Sequence, residues 1–386
     1  MIPYGRQDIT ETDIEVVIET LRSDFITQGP AIPRFEGAVS EYCGASGAVA
    51  VTSATAALHV AYMALDVGPD SLVWTVPNTF AATANAALYC GAEVDFVDIN
   101  LSDRNLCIAA LRDKLRLAST EGRLPDLVVP VHFSGLSCDM AAVHELALEF
   151  GFRVVEDASH AIGGSYDGQM VGACQYSDAT VFSFHPVKLI TTGEGGVITS
   201  QSQDFLDRCA ILRSHGIVRE KDRLTGPTDG PWYYEMVELG FNYRMTDIQA
   251  ALGTSQLGRL DSYVARRNEI ALLYDRAFED TGLGLPGGKR NTVSARHLYT
   301  VHWEDGLGGF ERSSAFAALR EAGVGVNVHY IPVHLLPYYR KLGFSAGLFP
   351  SAEAHYAQAI SLPMYPTLTD ADIAHVIDTV KEMALS

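Results

Sequence analysis

Apolar positions along this chain follow two alternating periods. Thr10-Glu11-Thr12-Asp13 reads as a helix start, and Ile14, Val17, Ile18 and Leu21 follow at helical spacing. Residues 24–30 form a loop that ends in Gly29-Pro30, and Phe35, Val39 and Tyr42 mark a second helix. Short apolar runs then trade with helical ones. Strands are expected at 48–51, 72–76, 94–97, 127–131, 153–156, 179–182 and 197–199, with helices at 55–65, 79–89 and 140–150. This alternation predicts an α/β fold with a mainly parallel sheet covered by helices on both faces.

Beyond Leu260 the texture changes. A helix over 263–278 leads into a Gly-rich stretch at 282–288 that reads as a flexible joint. A strand at 297–303, a helix at 313–321, a strand at 324–328 and a last helix at 370–383 suggest a smaller α+β unit. The expected division is a large domain over 1–260 and a small C-terminal domain over 261–386, with no internal repeat.

The 386 residues are 47% hydrophobic and 19% charged, a globular composition with ample core material. Lys plus Arg number 28 against 47 Asp plus Glu, a net charge of −19. Such a surface repels nucleic acid and anionic lipid, so neither is expected as a partner. The start lacks the apolar core of a signal peptide, and no apolar run is long enough to span a bilayer. Six scattered cysteines without a CxxC pair read as buried thiols of a cytoplasmic protein.

The chemistry centres on Lys188. It stands between Val181-Phe182-Ser183-Phe184 and Leu189-Ile190, just ahead of Gly193-Glu194-Gly195-Gly196. A lysine in a water-poor pocket favours its neutral amine, which can attack an aldehyde and form a Schiff base. Pyridoxal phosphate (PLP) is the usual aldehyde in such sites, and the Ser183 hydroxyl suits its phosphate. Asp157 closes an apolar strand, where it can either hold a pyridine nitrogen protonated or cap a helix. Ser53-Ala54-Thr55 opens a helix, as a phosphate cradle or as an ordinary cap. Phe80 follows a strand and either stacks on a flat ring or joins the core. Arg213, Arg219, Lys221 and Arg223 gather positive charge suited to a diphosphate, although for Lys221 and Arg223 a solvated charged loop is the favoured reading. His329 and His334 lack metal-ligand spacing, so their segment reads as a polar substrate loop.

Together these residues resemble the DegT/StrS family of PLP-dependent nucleotide-sugar aminotransferases, of the aspartate-aminotransferase fold (PLP fold type I). The motifs are Glu156-Asp157-Ala158-Ser159-His160-Ala161, Ser183 with Lys188 and Gly193 to Gly196, Arg213-Ser214-His215-Gly216, and Asn242 to Asp247. Phe25 to Pro30, Ser53-Ala54-Thr55, Phe184 to Lys188 and Val326 to Tyr330 are most similar to the subgroup of pseudaminic acid biosynthesis. That subgroup aminates C4 of a UDP-4-keto-6-deoxy-N-acetylhexosamine, UDP-2-acetamido-2,6-dideoxy-β-L-arabino-hexos-4-ulose.

The resemblance implies a role for each matching position. Lys188 carries the cofactor and moves the proton, and Asp157 pairs with the pyridinium. Ser183, Ser53, Ala54 and Thr55 meet the phosphate, Phe80 lies against the ring, and His160 approaches its phenolic edge. Asn242 reaches the phosphate from a neighbouring subunit, which implies a homodimer with shared sites. Tyr4, Asp24, Phe25, Ile26, Thr27, Asn327, Val328, His329 and Tyr330 border the UDP-sugar. Glutamate is the implied donor, and pyridoxamine phosphate the form that carries the amine between the two half-reactions. The alternatives are a different UDP- or dTDP-keto sugar, aminated at C4 or C3, and a PLP-binding regulatory protein without turnover.

Overall fold

The computed structural model describes residues 1–288 and 291–386. Seven strands form its central sheet, in the order Gly47–Val51, Gly196–Ser200, Ala179–Ser183, Arg153–Asp157, Leu127–Val129, Leu72–Thr75 and Glu93–Phe96. Of these seven, Gly196–Ser200 alone runs against its neighbours. The expected mainly parallel sheet is therefore present. Its strands are rich in Val and buried on both faces because helices cover each side.

The stretch 108–121, to which the sequence reading assigned no element, is a helix, Ile108–Glu121. Only Leu111, Leu115 and Ala118 of it are buried, one thin stripe among charged residues, too sparse to read as a periodic segment. The helix expected over 79–89 begins at Ala82, because Asn78 and Thr79 spend their side chains on other contacts. Residues 324–328 do not form a strand. Val324 bridges Ile2 and Asn327 bridges Ser361, so the segment is shared between two neighbours and never builds one ladder.

Helix Glu11–Arg22 reverses the usual order. Its apolar stripe faces out, with Ile14 41% and Leu21 54% exposed, while Asp13 is buried. Asp13 accepts hydrogen bonds from Arg259 at 2.6 Å, Ser255 at 2.6 Å and Gln256 at 2.8 Å. These bonds outweigh the burial that would raise its pKa, and hold it below the usual carboxylate value.

The C-terminal segment has a core of its own, built from Ile270, Tyr274, Tyr299, Trp303, Leu319, Ile360 and Val376 among others. Ile2 packs against that core, whereas Val333, Tyr339, Phe349 and Ala352 pack into the core of the large sheet. The Gly-rich stretch expected to be a joint is tied down. Gly284 exchanges two backbone hydrogen bonds with His302, at 3.0 and 2.8 Å. All six cysteines are unpaired; Cys90 and Cys107 are only partly buried, against the expectation for the set.

Arg104 joins the two cores. It is 3% exposed and donates to the carbonyls of Thr300, of Gly284 at 3.2 Å and of Leu285 at 3.4 Å. Burial lowers its pKa to about 10, against the opposing pull of Tyr299 and Asp103. Arg104→Met keeps the volume but strands three carbonyls in a dry place. It should lower stability by about 2–4 kcal/mol, read from the midpoint of urea unfolding. An unchanged midpoint would show that the two cores hold together without it.

Candidate active site

The carboxyl ends of the parallel strands open into a cavity of about 780 Å³. The sequence brings Lys188 there by a closed loop. Ser183 ends its strand paired with Gly196. Phe184 N–H then donates to Gly195 O at 2.9 Å, and Thr192 N–H donates to Phe184 O at 3.0 Å. Phe184, Leu189 and Ile190 anchor this loop in the core, so Lys188 between them turns to the cavity. Burial lowers its pKa to about 8, against the opposing pull of Asp157.

Asp157 ends its strand facing the same cavity. No helix follows it, so it is not a helix cap. Its Oδ2 accepts from Thr83 Oγ1 at 2.6 Å, and its Oδ1 accepts from Ser159 Oγ at 2.6 Å and Ser159 N–H at 3.1 Å. Thr83 is oriented in turn by Thr79, hydroxyl to hydroxyl at 2.8 Å.

Ser53 caps helix Ala54–Ala64 and accepts from Ala56 N–H at 3.1 Å, which leaves the amides of the first turn facing the cavity. This cradle depends on Gly196. A β-carbon at that position would lie 2.5 Å from Ser53 C and O and 2.6 Å from Ala54 N. The backbones of strand Gly196–Ser200 and the helix start can touch only without a side chain there.

His160, 4% exposed, accepts from Ser134 N–H through Nδ1 at 3.3 Å. Its proton therefore sits on Nε2, which donates to the Tyr330 hydroxyl at 3.0 Å. Burial first, then Lys188, holds the imidazole pKa well below 6.5, and burial raises the Tyr330 phenol well above 10. Both groups are neutral, and the Tyr330 hydroxyl proton is left to point elsewhere. Tyr330 is set by Asn78, whose Oδ1 accepts from Tyr330 N–H at 3.3 Å. His329 is fixed through Nδ1 to Ser361 Oγ at 2.8 Å, and burial and Lys188 lower its pKa to about 3.

The cavity thus gathers Tyr4, Ser53, Ala54, Thr55, Phe80, Asp157, His160, Ser183, Lys188, Asn327, Val328, His329 and Tyr330. Phe80 is 64% exposed, so it does not join the core. Asp24, Phe25, Ile26, Thr27 and Asn242 do not line this cavity; they lie exposed on the surface. The 24–27 loop lies against the end of the Asn242 segment, since Thr27 bridges Thr246 and Asp247 N–H donates to Ile26 O at 3.0 Å, while Asn242 itself bridges Ser214. The basic cluster does not form. Arg213 is held by Glu36, Arg223 pairs with Asp207, and Arg219 stacks over Tyr234. His334 turns away to Glu353 at 3.0 Å.

The sequence reading passed over Thr83, Ser159, Ser134, Asn78 and His297. Thr83 carries a signal in hindsight, one helical turn after Thr79 and just past Phe80. Ser134, Asn78 and His297 carry none, because each works through a contact far away in the chain.

A profile of the DegT/DnrJ/EryC1/StrS aminotransferase family matches residues 7–381. The spore coat polysaccharide biosynthesis protein SpsC of Bacillus subtilis is 39% identical, over 99% of this chain and 97% of its own. A UDP-4-amino-4,6-dideoxy-N-acetyl-beta-L-altrosamine transaminase of Campylobacter jejuni is 38% identical, over 98% of this chain and 96% of its own. Among solved structures, PseC of Helicobacter pylori, described as an aminotransferase involved in the biosynthesis of pseudoaminic acid, superposes with a TM-score of 0.91 at 29% identity. That match covers 100% of this chain and 99% of PseC. The chain belongs to the DegT/DnrJ/EryC1/StrS aminotransferase family.

Proposed function

We propose that this aminotransferase uses PLP to move an amino group from glutamate to C4 of a UDP-4-keto-6-deoxy-N-acetylhexosamine, as in pseudaminic acid biosynthesis. The observation that carries the reading is Lys188 and Asp157 facing one cavity whose rim is an amide-lined helix start. These residues fit the cofactor. The Ser53 to Thr55 turn and the Ser183 hydroxyl suit its phosphate, and the bare backbone at Gly196 keeps that cradle open. Asp157 Oδ2, which accepts only from Thr83, keeps a lone pair for the ring N–H, and exposed Phe80 offers a flat face. When bound, the cofactor supplies an electron sink for the negative charge left at a carbon beside its nitrogen. Lys188 Nζ takes the proton from the glutamate Cα and delivers one at sugar C4 in the second half-reaction. Tyr330 and His160, both neutral, offer a hydroxyl donor to an oxygen in the cavity without repelling Lys188. Pools of glutamate and nucleotide sugar make the cytoplasm the natural compartment.

Incubation with PLP, glutamate and a panel of UDP- and dTDP-4-keto sugars, followed by mass analysis, tests the substrate. The SpsC relative, 39% identical against 38% for the transaminase, makes that panel necessary. Amination of the UDP-N-acetyl sugar above all others supports the reading. Preference for a dTDP sugar overturns its substrate, and no amination of any sugar overturns its chemistry.

We propose further that each site is completed by a second copy of this chain. Phe25 and Ile26 are exposed, as are Ile14, Ile18 and Leu21 of the helix just before them in the chain, and neighbouring Thr27 bridges Thr246 of the Asn242 segment. An apolar surface of this kind with an unused polar motif at its edge suits a self-complementary contact. Asn242 and Asp24 to Thr27 would then serve the partner's cavity.

Three outcomes follow from these roles. Borohydride reduction after loading with PLP should leave the pyridoxyl group on Lys188 by peptide mapping, and trapping should rise through about pH 8 rather than near 10.5. The folded chain releases that proton before the unfolded chain does. The group therefore weakens the apoprotein below about pH 8, and the penalty fades as pH rises toward 10.5. Lys188→Met should abolish both the trapping and that pH dependence of urea unfolding.

Asp157→Asn should keep the fold by circular dichroism while amination slows by several orders of magnitude. Near-normal turnover would reduce Asp157 to a turn residue.

Lys188→Ala and Asn242→Ala, each inactive alone, should regain activity when mixed, because one site of the hetero-dimer holds both native residues. Exchange confirmed by native mass spectrometry without regained activity would place Asn242 in the service of its own chain.

A further inference from the structure

His297 has no part in the roles above, yet it lines the cavity and is only 4% exposed. Its main chain is fixed from both sides. His297 N–H donates to Ser134 O at 3.0 Å, and its carbonyl accepts from the buried guanidinium of Arg267 at 3.2 Å. Ser134 Oγ donates to the next carbonyl, that of Leu298, at 2.6 Å. Gly135 permits this approach. It has φ +95°, and a β-carbon there would lie 2.8 Å from Arg296 N and 3.1 Å from His297 N.

The ring stands 4.4 Å from that of His160. Its Nδ1 is sealed from solvent and has no hydrogen-bond partner among the described residues. The ring therefore meets the cavity by its other edge, which carries Nε2. A buried N–H without a partner is rarer than a buried lone pair without one, so the proton belongs on Nε2. Burial, and then His160, Lys188 and Arg267, keep the ring neutral.

We propose that His297 is a substrate-contacting residue whose Nε2–H donates a hydrogen bond to the oxygen on the reacting carbon of the keto sugar. This rests on the aminotransferase reading. A ketone oxygen is an uncharged acceptor, and a neutral donor suits it. An imidazolium in that place would compete with Lys188 for the cavity's carboxylate. The position also fits, because Lys188 must reach the carbon that bears this oxygen, and His297 and Lys188 line the same cavity.

The test compares His297→Phe, which keeps a ring without a donor, with His297→Gln, which keeps a neutral N–H near the Nε2 position. With the preferred keto sugar, the Phe variant should lose about tenfold or more in kcat/KM, and the Gln variant should recover most of it. Affinity of the apoprotein for the same keto sugar, by calorimetry, should fall in Phe and return in Gln. A Phe variant within twofold of the parent in both measurements would make His297 a wall of the cavity only. Should the Phe variant fail to fold, parent apoprotein labelled with 15N-histidine decides. One imidazole Nε2–H signal, assigned through its contacts to His160, should shift on keto-sugar binding, and an unmoved signal overturns the inference. A parent that aminates no keto sugar ends the aminotransferase reading itself. A parent that does so, with an indistinguishable Phe variant, ends only the role of His297.

Discussion

The site depends on one close approach. Strand Gly196–Ser200 runs between Gly47–Val51 and Ala179–Ser183, and its first residue lies against the backbone of Ser53 and Ala54. Packing at that distance leaves no room for a β-carbon. It sets the start of helix Ala54–Ala64 beside the end of strand Ala179–Ser183, so the cradle, the Ser183 hydroxyl and the Lys188 loop are delivered together. Asp157 follows from the same register, because its strand pairs in parallel with Ala179–Ser183 and ends opposite Val181, two residues before Ser183. A larger residue at 196 would move all four groups at once.

Burial then decides the charges. The protein carries −19 overall, yet the cavity sets a single lysine against Asp157 and Glu194, beside His160, His297, His329 and Tyr330, whose charged forms burial disfavours. Desolvation does this work. It lowers His160, His297 and His329 and raises Tyr330, so these side chains act as hydrogen-bond donors and acceptors whose tautomers are set by their outer partners. Lys188 lies under the same pressure, partly relieved by Asp157, and so holds its neutral form within reach at moderate pH. A charged ring at 160 or 297 would push that lysine further down and take Asp157 from it.

What the sequence made legible was local. Apolar runs marked the parallel strands, and the flanks of Lys188, the end of the Asp157 strand and the Ser53 turn each announced themselves within about ten residues. The unread parts depend on distance in the chain. Thr83 reaches Asp157 across 74 positions and Tyr330 reaches His160 across 170. No periodicity records such contacts. The segment 324–328 misled for the same reason: its alternation is that of a strand, but its neighbours, Ile2 and Ser361, lie at opposite ends of the chain and each takes one residue. The basic cluster misled differently. Arg213 is consumed by Glu36, an acid that any reading of neighbouring residues leaves out, whereas Lys221 and Arg223 lie exposed, as the favoured loop reading had them.

The residues left on the surface follow from the same physics. Helix Glu11–Arg22 buries a carboxylate and shows its apolar stripe, which makes sense only if the inward face is the one that must be specific. Asp13 gains Arg259, Ser255 and Gln256 and fixes this helix on helix Asp247–Leu257, whose own Asp247 accepts from Gly29 N–H at 2.7 Å and Ala31 N–H at 2.8 Å. Two buried aspartates thus hold the loop of Asp24 to Thr27 and the segment that begins at Asn242 in one rigid arrangement. Rigid polar positioning of an exposed apolar edge has little value to an isolated chain, since water offers nothing to recognise. In the dimer proposed above it would present Phe25, Ile26 and Asn242 to the second copy, where apolar burial would supply the affinity and the polar groups the register.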